Sequence, residues 1–192
     1  MAYIGQAPAN KPVEGSDISA TVITGQTALS TAPADTDEFL ISDAGTLKRI
    51  DASLIGGGGK LLQAVTAEDG TTRSTTSTSF ATGSNTLSVD ITPAATSSKI
   101  FVVCHTPVQN TGSTENAMFS IFRDSTNLGD SSSGLAVIMP NVYTNITMTF
   151  LDSPSSTSQL TYQVYMKGTD GNTAKVSSNG PHAVITAFEI GA

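Results

Sequence analysis

Residues able to support covalent chemistry are few in this chain. Cys104 is the single cysteine, and His105 follows it directly. Adjacent residues of a β-strand point to opposite faces, so in the apolar strand predicted around them the imidazole is turned away from the thiol. We therefore expect Cys104 to be a buried structural residue, and a lone cysteine excludes an internal disulfide.

Serine nucleophiles and carboxylate pairs do not indicate an active site either. No serine lies in a Gly-x-Ser-x-Gly elbow. The pairs Asp35 with Asp37 and Glu68 with Asp69 are expected in polar loops, where both members stay ionised and solvated. Glycan cleavage requires a carboxylic acid with a raised pKa in a pocket, and no such site is indicated. We expect no enzyme activity.

Metal ligands are also sparse. The two histidines, His105 and His182, lie far apart, whereas zinc normally takes three or four closely spaced ligands. Asp124, Asn127 and Asp130 could offer oxygen ligands to calcium from a loop. They are weak candidates, because Asp and Asn at such spacing more often form Asx turns. No metal is predicted.

A glycine run followed by lysine, Gly56 to Lys60, is a weak match to a phosphate-binding loop. Leu61 stands where a Ser or Thr should bind magnesium, and no strong helix follows. We therefore predict no nucleotide and no other cofactor.

The composition indicates β-structure and limits the partners. Charged residues make up 13% of the 192 residues and the net charge is −7, with Lys and Arg scattered. Abundant Thr suits strands and abundant Ser suits turns. Scattered cations make nucleic-acid binding improbable. With so little charge to prevent association, we expect surfaces covered by sister subunits; a Ser/Thr-rich secreted domain is the alternative.

The chain shows no secretion signal at its start and no apolar run long enough to span a membrane. Assembly in a cytoplasm, without membrane insertion, is expected.

Four glycines divide the chain into an arm, residues 1–59, and a head, residues 60–192. In the arm, two apolar runs around Asp43-Ala44-Gly45 predict a β-hairpin, and one capped helical turn is expected from Asp51 to Ile55. A lone hairpin is marginally stable, so it should pair with copies of itself or with a host protein. The residues predicted to attach the arm to a larger assembly are Tyr3, Ile4, Phe39, Leu40, Ile41, Leu47 and Ile50.

The head contains many short β-type runs separated by turn residues, which favours an antiparallel sandwich or jelly roll. Leu87, Val89 and Ile91 alternate with polar residues, as do Tyr162, Val164 and Met166. The predicted strands are 61–66, 79–81, 86–92, 99–105, 117–123, 135–139, 145–151, 159–167, 173–177 and 183–190. The last of these is apolar on both faces, which predicts a central strand or one at a subunit interface.

Several motifs follow one another in a specific order along the head. They include Gly58-Gly59-Lys60-Leu61-Leu62, Val89-Asp90-Ile91-Thr92-Pro93, Phe122-Arg123-Asp124, Phe150-Leu151-Asp152-Ser153-Pro154 and Thr186-Ala187-Phe188-Glu189-Ile190. In this order they resemble the head domain of tail-fibre and other structural proteins of marine bacteriophages. The hairpin run Glu38 to Asp43 with Gly45 to Ile50 likewise resembles an element of phage fibre proteins. The resemblance implies a homotrimer of jelly rolls similar to tumour-necrosis-factor-like heads. Expected in the trimer interface or the core are Phe101, Phe119, Phe150, Tyr162, Tyr165, Phe188 and Ile190.

These observations favour a bacteriophage virion protein, in which the arm binds the major capsid protein or tail or portal proteins. Because the chain has no long repetitive shaft, a homotrimeric capsid decoration, cement or head-fibre protein is the leading hypothesis. The alternative is a short tail-fibre adhesin that recognises a host surface glycan through loops of the head.

Overall fold

The computed structural model describes residues 24–25, 27, 33–34, 36–55, 60–170, 172–178 and 182–191. The chain divides into two compact units, Met1–Gly56 and Gly57–Ala192, so the division falls at the glycine run on which the arm and head were separated. Within the described residues, no helix is long and apolar enough to cross a membrane. Tyr3, Ile4 and Asp35 lie outside the described residues.

The first unit contains the predicted hairpin. Strands β1 (Glu38–Asp43) and β2 (Thr46–Asp51) pair antiparallel over their full lengths. The turn consists of Ala44 and Gly45, both with positive φ (50° and 82°). Two residues with positive φ match the right-handed twist of a two-stranded sheet. A helical turn, α1 (Ala52–Ile55), follows directly, so both predicted elements of the arm are confirmed.

The second unit is a sandwich of two antiparallel sheets. Its strands are β3 (Leu61–Asp69), β4 (Arg73–Thr75), β5 (Ser88–Ile91), β6 (Lys99–Asn110), β7 (Ala117–Arg123), β8 (Thr126–Asn127), β9 (Ala136–Ile138), β10 (Val142–Asp152), β11 (Leu160–Gly168), β12 (Ala174–Val176) and β13 (Ala183–Ile190). The first sheet is ordered β3-β13-β6-β10; β12 lies on the same side of β6 as β13, and β4 pairs with β12 as β3 pairs with β13. The second sheet is ordered β5-β11-β7, and β8 and β9 both pair with the other side of β7.

The connections make this sandwich a jelly roll. Along the chain, β3 with β4 lies in the first sheet, β5 in the second, β6 in the first, and β7 to β9 in the second. The chain then returns to the first sheet with β10, crosses with β11, and ends in the first sheet with β12 and β13. Four strand columns per sheet with this alternation are the double Greek key of a jelly roll. The predicted fold class, all-β with an antiparallel jelly-roll head and an arm hairpin, is confirmed.

The core lies between the sheets and follows the period-two pattern. Leu87, Val89 and Ile91 are buried, and Tyr162 and Val164 are fully buried on β11, the neighbouring strand of the same sheet. Strand β13 lies between β3 and β6, which confirms that it is central. These alternating strands thus place one side-chain row in the core and leave the other on an outer face.

The structure also differs from the predicted strands in places. Residues 79–81 form no strand, and Ala81 makes only an isolated bridge to Met166. The Ser77 hydroxyl instead accepts from the backbone amide of Ser79 and donates to its carbonyl, so it competes with strand pairing there. Strand β6 continues through Pro107 to Asn110. The short strands β4 and β8 were not predicted, since three and two residues are too few to show a period.

Candidate assembly interface

The outer face of the first sheet carries an apolar row that crosses four strands. Phe188 of β13 lies opposite Phe101 of β6 and Ala64 of β3, and Phe101 lies opposite Leu151 of β10. The Phe101 and Phe188 rings stack with centroids 6.4 Å apart. Leu151 is 51% exposed, and both rings remain half-buried. A row of this kind resembles half of a buried interface.

The rows on either side of this one are weakly charged. On one side lie Thr66, Thr186, Val103 and Thr149, followed by Glu68, Val184, His105 and Thr147. On the other side Ile190 lies opposite Lys99, and Leu62 lies two residues before Ala64 on β3, where the pairing with β13 is irregular. The ionisable side chains of these rows are Glu68, His105 and Lys99, and none of them lies in the central row. Depletion of charge at the centre with polar groups at the rim is typical of protein interfaces. We call residues 62, 64, 101, 103, 151, 184, 188 and 190 the first-sheet patch.

Strand β10 forms the edge of the first sheet beside this patch. It pairs with β6 along one side over eleven residues, and no described strand pairs with its other side. From Val142 to Leu151 the strand contains no charged residue and no proline. Natural proteins protect long edge strands with charges, prolines or a covering element. This edge is therefore suited to being covered in an assembly.

The arm hairpin exposes apolar side chains on both faces. All six residues of β1 are exposed, with Phe39 at 42%, Leu40 at 74% and Ile41 at 37%. Leu54 and Ile55 of α1 are also exposed. The predicted attachment residues Phe39, Ile41 and half-buried Ile50 share one face, and Leu40 lies on the other. The backbone of Leu47 pairs with Ser42, while its side chain is outside the described set.

The predicted trimer-interface or core residues separate into three groups. Phe119 and Tyr162 are fully buried in the core, so they cannot contact another copy. Phe150 is half-buried and points inward, because it lies opposite buried Val102. The residues that lie on the first-sheet patch are Phe101, Phe188 and Ile190; Tyr165 lies on the outer face of the second sheet. The prediction missed Val103, Val184 and Leu151, although alternation with buried neighbours placed them on the outer face.

An aromatic cluster occupies the outer face of the second sheet. The rings of Phe122 and Tyr165 stack with centroids 4.0 Å apart, and Phe80 is tilted against Phe122 at 5.6 Å. The Lys167 ammonium lies 4.8 Å from the centre of the Phe80 ring. All four side chains are half-buried. The chain's own segment around Phe80 thus covers part of this face.

A buried ion pair joins the two sheets. Asp152, at the end of β10, accepts hydrogen bonds from the Arg123 guanidinium at 2.7 and 2.8 Å and from the Tyr162 hydroxyl at 2.6 Å. Burial would lower the pKa of Arg123, but the hydrogen bonds and charge of Asp152 outweigh it and raise that pKa. Burial and Asp152 together raise the pKa of Tyr162. This cluster is structural: it fixes the edge strand β10 to the second sheet.

Two further carboxylates are buried at strand ends. Burial would raise the pKa of Asp69, but backbone amides of Thr86 and Thr71 donate to it and lower its pKa below the usual value. Glu189 is fully buried; the Gln63 side-chain amide and a backbone amide likewise outweigh its burial and lower its pKa. The prediction that Asp69 is solvated is therefore wrong, because β3 extends to this residue and encloses it.

The weak calcium candidates use their oxygens within the chain. A carboxylate oxygen of Asp130 accepts three hydrogen bonds from Ser132 and Ser133. Asp124 accepts from the backbone amide of Thr161, and Asn127 accepts from Ser120 and Gly129. No group of three or more His, Cys, Asp or Glu side chains suited to a metal occurs in the part of the chain that the structure describes. These side chains form turns, as Asx residues commonly do.

Cys104 lies fully buried in β6, and burial raises its thiol pKa to about 12. His105 is exposed on the opposite face and contacts Thr147 at 3.1 Å. The expectation of a buried structural cysteine turned away from the imidazole is confirmed.

Comparisons with known proteins contribute little to the assignment of function. No family model matches the chain, and no curated protein matches it. Among solved structures, the chain is similar to the VP2 subviral particle of infectious bursal disease virus, with 9% sequence identity and a TM-score of 0.36. That match covers 82% of this chain and 43% of the viral protein.

Proposed function

We propose that this chain is a structural protein of a bacteriophage particle, a homotrimeric capsid decoration, cement or head-fibre protein anchored by its N-terminal arm. The observation that carries the proposal is the first-sheet patch, an apolar face beside β10, an edge strand that no described strand pairs with on its outer side and that has no charged residue from Val142 to Leu151. Such surfaces are a liability in a monomer. They are suited to a protein whose working form is an assembly.

The two surfaces differ from each other, which favours a ring over a two-fold dimer. When the patch of one copy receives the β10 edge of the next, each copy uses one patch and one edge. Contacts between unlike surfaces are heterologous, and they close into rings when the rotation permits. A ring of three is proposed because the motif resemblance to phage head domains implies a trimer.

The arm supplies the proposed contact with the particle. Leu40, Leu54 and Ile55 are well exposed on an element too small to have its own core. We propose that they bind the major capsid protein or tail or portal proteins of the same phage. Three arms on one trimer raise the effective concentration of each contact, so weak individual contacts hold the assembly on the particle surface.

The alternative function, a short tail-fibre adhesin that binds a host surface glycan, is favoured by one observation. Phe122, Tyr165 and Phe80 form a half-exposed aromatic cluster on the second sheet. Carbohydrates commonly stack on aromatic rings. If this is the function, the full-length protein binds a host-cell glycan preparation and Tyr165→Ala abolishes that binding.

The leading proposal is tested by measuring association of the full-length protein by sedimentation velocity. Phe188→Asp places a charge at the centre of the first-sheet patch and is expected to convert trimers to monomers. Tyr165→Asp is the matched control, since it changes a half-buried aromatic on the other sheet and is expected to leave the trimer intact.

Circular dichroism and thermal unfolding of both variants separate loss of association from loss of fold. A wild-type monomer at all accessible concentrations overturns the proposal. A folded Phe188→Asp variant that remains trimeric also overturns it, since the patch would then not be the interface.

A further inference from the structure

His105 is an exposed histidine in the middle of β6, on the outer face of the first sheet. Across the sheet it lies opposite Val184 of β13 and Thr147 of β10, and its ring nitrogen Nδ1 lies 3.1 Å from the Thr147 hydroxyl. Its neighbours on the same face of β6 are Val103 and Pro107. None of these four residues is charged, so an imidazolium at this position has no counter-ion among its direct neighbours.

The carboxylate that shares this row is that of Glu68 on β3. Val184 separates it from His105, which places the two residues two strand spacings apart, about 10 Å. This distance exceeds the Debye length of about 8 Å at physiological ionic strength. The Glu68 carboxylate also lies 3.9 Å from Nδ1 of His182, which competes for it when protonated. Glu68 therefore compensates little of a positive charge on His105.

The other elements around His105 bring no negative charge to this face. Lys99 begins β6, and its ammonium donates to the hydroxyl of Ser153, just after the end of β10, at 2.9 Å. Strand β10 itself has no charged residue from Val142 to Leu151. In the proposed ring, the β10 edge of the next copy covers this face, so that edge supplies no carboxylate either.

His105 lies within the area that a protein interface of ordinary size covers. It is four residues from Phe101 of the central row, about 13 Å along β6. A standard interface buries about 800 Å² on each partner, which corresponds to a disc of about 16 Å radius. Covering the first-sheet patch therefore takes the imidazole out of water, and burial of an unpaired charge is strongly unfavourable.

From these observations we infer that protonation of His105 opposes association of the heads, so that the trimer dissociates as the pH falls from 7.5 to 5.0. This inference rests on the trimer of the proposed function and adds a regulation of its interface. A neutral imidazole is compatible with the covered face, because it keeps its contact with Thr147. A separated copy holds the imidazolium in water, so protons bind to separated copies in preference to the trimer.

The size of the effect follows from one imidazole in each of three copies. Histidine side chains titrate near pH 6.5 in water. If the trimer admits none of the three protons, its dissociation constant rises by about 3 × 10⁴-fold between pH 7.5 and pH 5.0. The protein concentration at which half of the trimer has dissociated then rises by roughly 150-fold, which is the largest shift that this mechanism allows.

Sedimentation velocity of the full-length protein at pH 7.5 and pH 5.0, over a series of concentrations, tests the inference. For the wild type, we expect the half-dissociation concentration to be at least tenfold higher at pH 5.0. His105→Gln keeps a polar side chain that is neutral at both pH values, and it is expected to remain equally trimeric at both. His182→Gln is the matched control, because it removes the other histidine and is expected to respond as the wild type does.

Circular dichroism at pH 5.0 separates dissociation from unfolding. The fold is expected to persist there, because pH 5.0 lies above the usual pKa values of the buried carboxylates Asp69 and Glu189, and the pKa values of both are lowered further in the folded chain. Unfolding at pH 5.0 would overturn the inference, since dissociation would then follow from loss of the fold.

The remaining outcomes distinguish this inference from the proposed function. A wild-type trimer that is equally associated at both pH values overturns the inference and leaves the trimer standing. A His105→Gln variant that dissociates at pH 5.0 as the wild type does also overturns it, because another group then carries the response. A wild-type protein that is monomeric at pH 7.5 at every concentration overturns the proposed function itself.

Discussion

Removal of the Asp152 carboxylate is expected to destabilise the head strongly. This side chain is 8% exposed and accepts hydrogen bonds from Arg123, Tyr162 and the backbone amide of Ser153. Asp152→Ala leaves a buried guanidinium and a buried hydroxyl without their acceptor. Loss of one member of a buried ion pair costs about 3–5 kcal/mol.

The lower end of that range is expected here. The Arg123 side chain retains 23% exposure, so water can partly replace the lost carboxylate. We therefore expect Asp152→Ala to lower the free energy of unfolding by about 3 kcal/mol, a large part of the roughly 5–15 kcal/mol of a typical domain.

The assay is urea unfolding followed by circular dichroism, with all proteins at one concentration because association contributes to stability. Asp90→Ala is the matched control: Asp90 is exposed and accepts one hydrogen bond from Thr161, so its loss should cost about 0.5 kcal/mol. If Asp152→Ala costs no more than Asp90→Ala, the ion pair does not join the sheets as argued.

Three further predictions concern two buried carboxylates, the buried thiol and one glycine with positive φ. The pKa values of Asp69 and Glu189 are lowered in the folded state. The two carboxylates therefore stabilise the fold above their usual pKa values of 3.8 and 4.5, and this stabilisation is lost as the pH falls below those values. Thermal unfolding between pH 6 and pH 2 measures the loss, and a melting temperature that does not change over that range contradicts it. The Cys104 thiol, with its pKa raised to about 12, should react with a maleimide at pH 7 only on unfolding, and fast labelling of the native protein would show that it is accessible. Gly134 has a φ of 70°, and a Cβ added there would lie 2.5 Å from a backbone oxygen of β7. Gly134→Ala should therefore lower the urea midpoint of unfolding markedly. Gly70→Ala is the control, because its Cβ meets only a side chain at 3.4 Å; equal midpoints for the two variants would contradict the close approach at Gly134.

Side-chain alternation made much of the fold predictable. The sequence Asp43-Ala44-Gly45 between two apolar runs predicts the hairpin, and the turn indeed has two residues with positive φ. In residues 87–91 and 162–166, every second side chain was predicted to face the core, and those side chains are buried. Alternation does not specify which strands are neighbours, so the jelly-roll order came from the resemblance to phage heads and not from the pattern.

The interface residues were harder to predict for a physical reason. Strands β6 and β13 are apolar on both faces, so hydrophobicity alone cannot separate a core residue of β6 such as Val102 from an outer one such as Phe101. Asp152 begins the run Asp-Ser-Pro, which is typical of a turn, yet its carboxylate pairs with Arg123 across the sandwich. Its burial depends on a partner 29 positions away, which no local pattern reveals.

The most direct test of the central claim is a cryo-EM reconstruction of the assembled protein at side-chain resolution. The account predicts three copies around a threefold axis, with Phe101, Phe188 and Leu151 of each copy covered by the β10 edge of its neighbour. A reconstruction in which that face is open to solvent, or is covered only by a molecule other than a copy of this chain, would contradict the trimer interface.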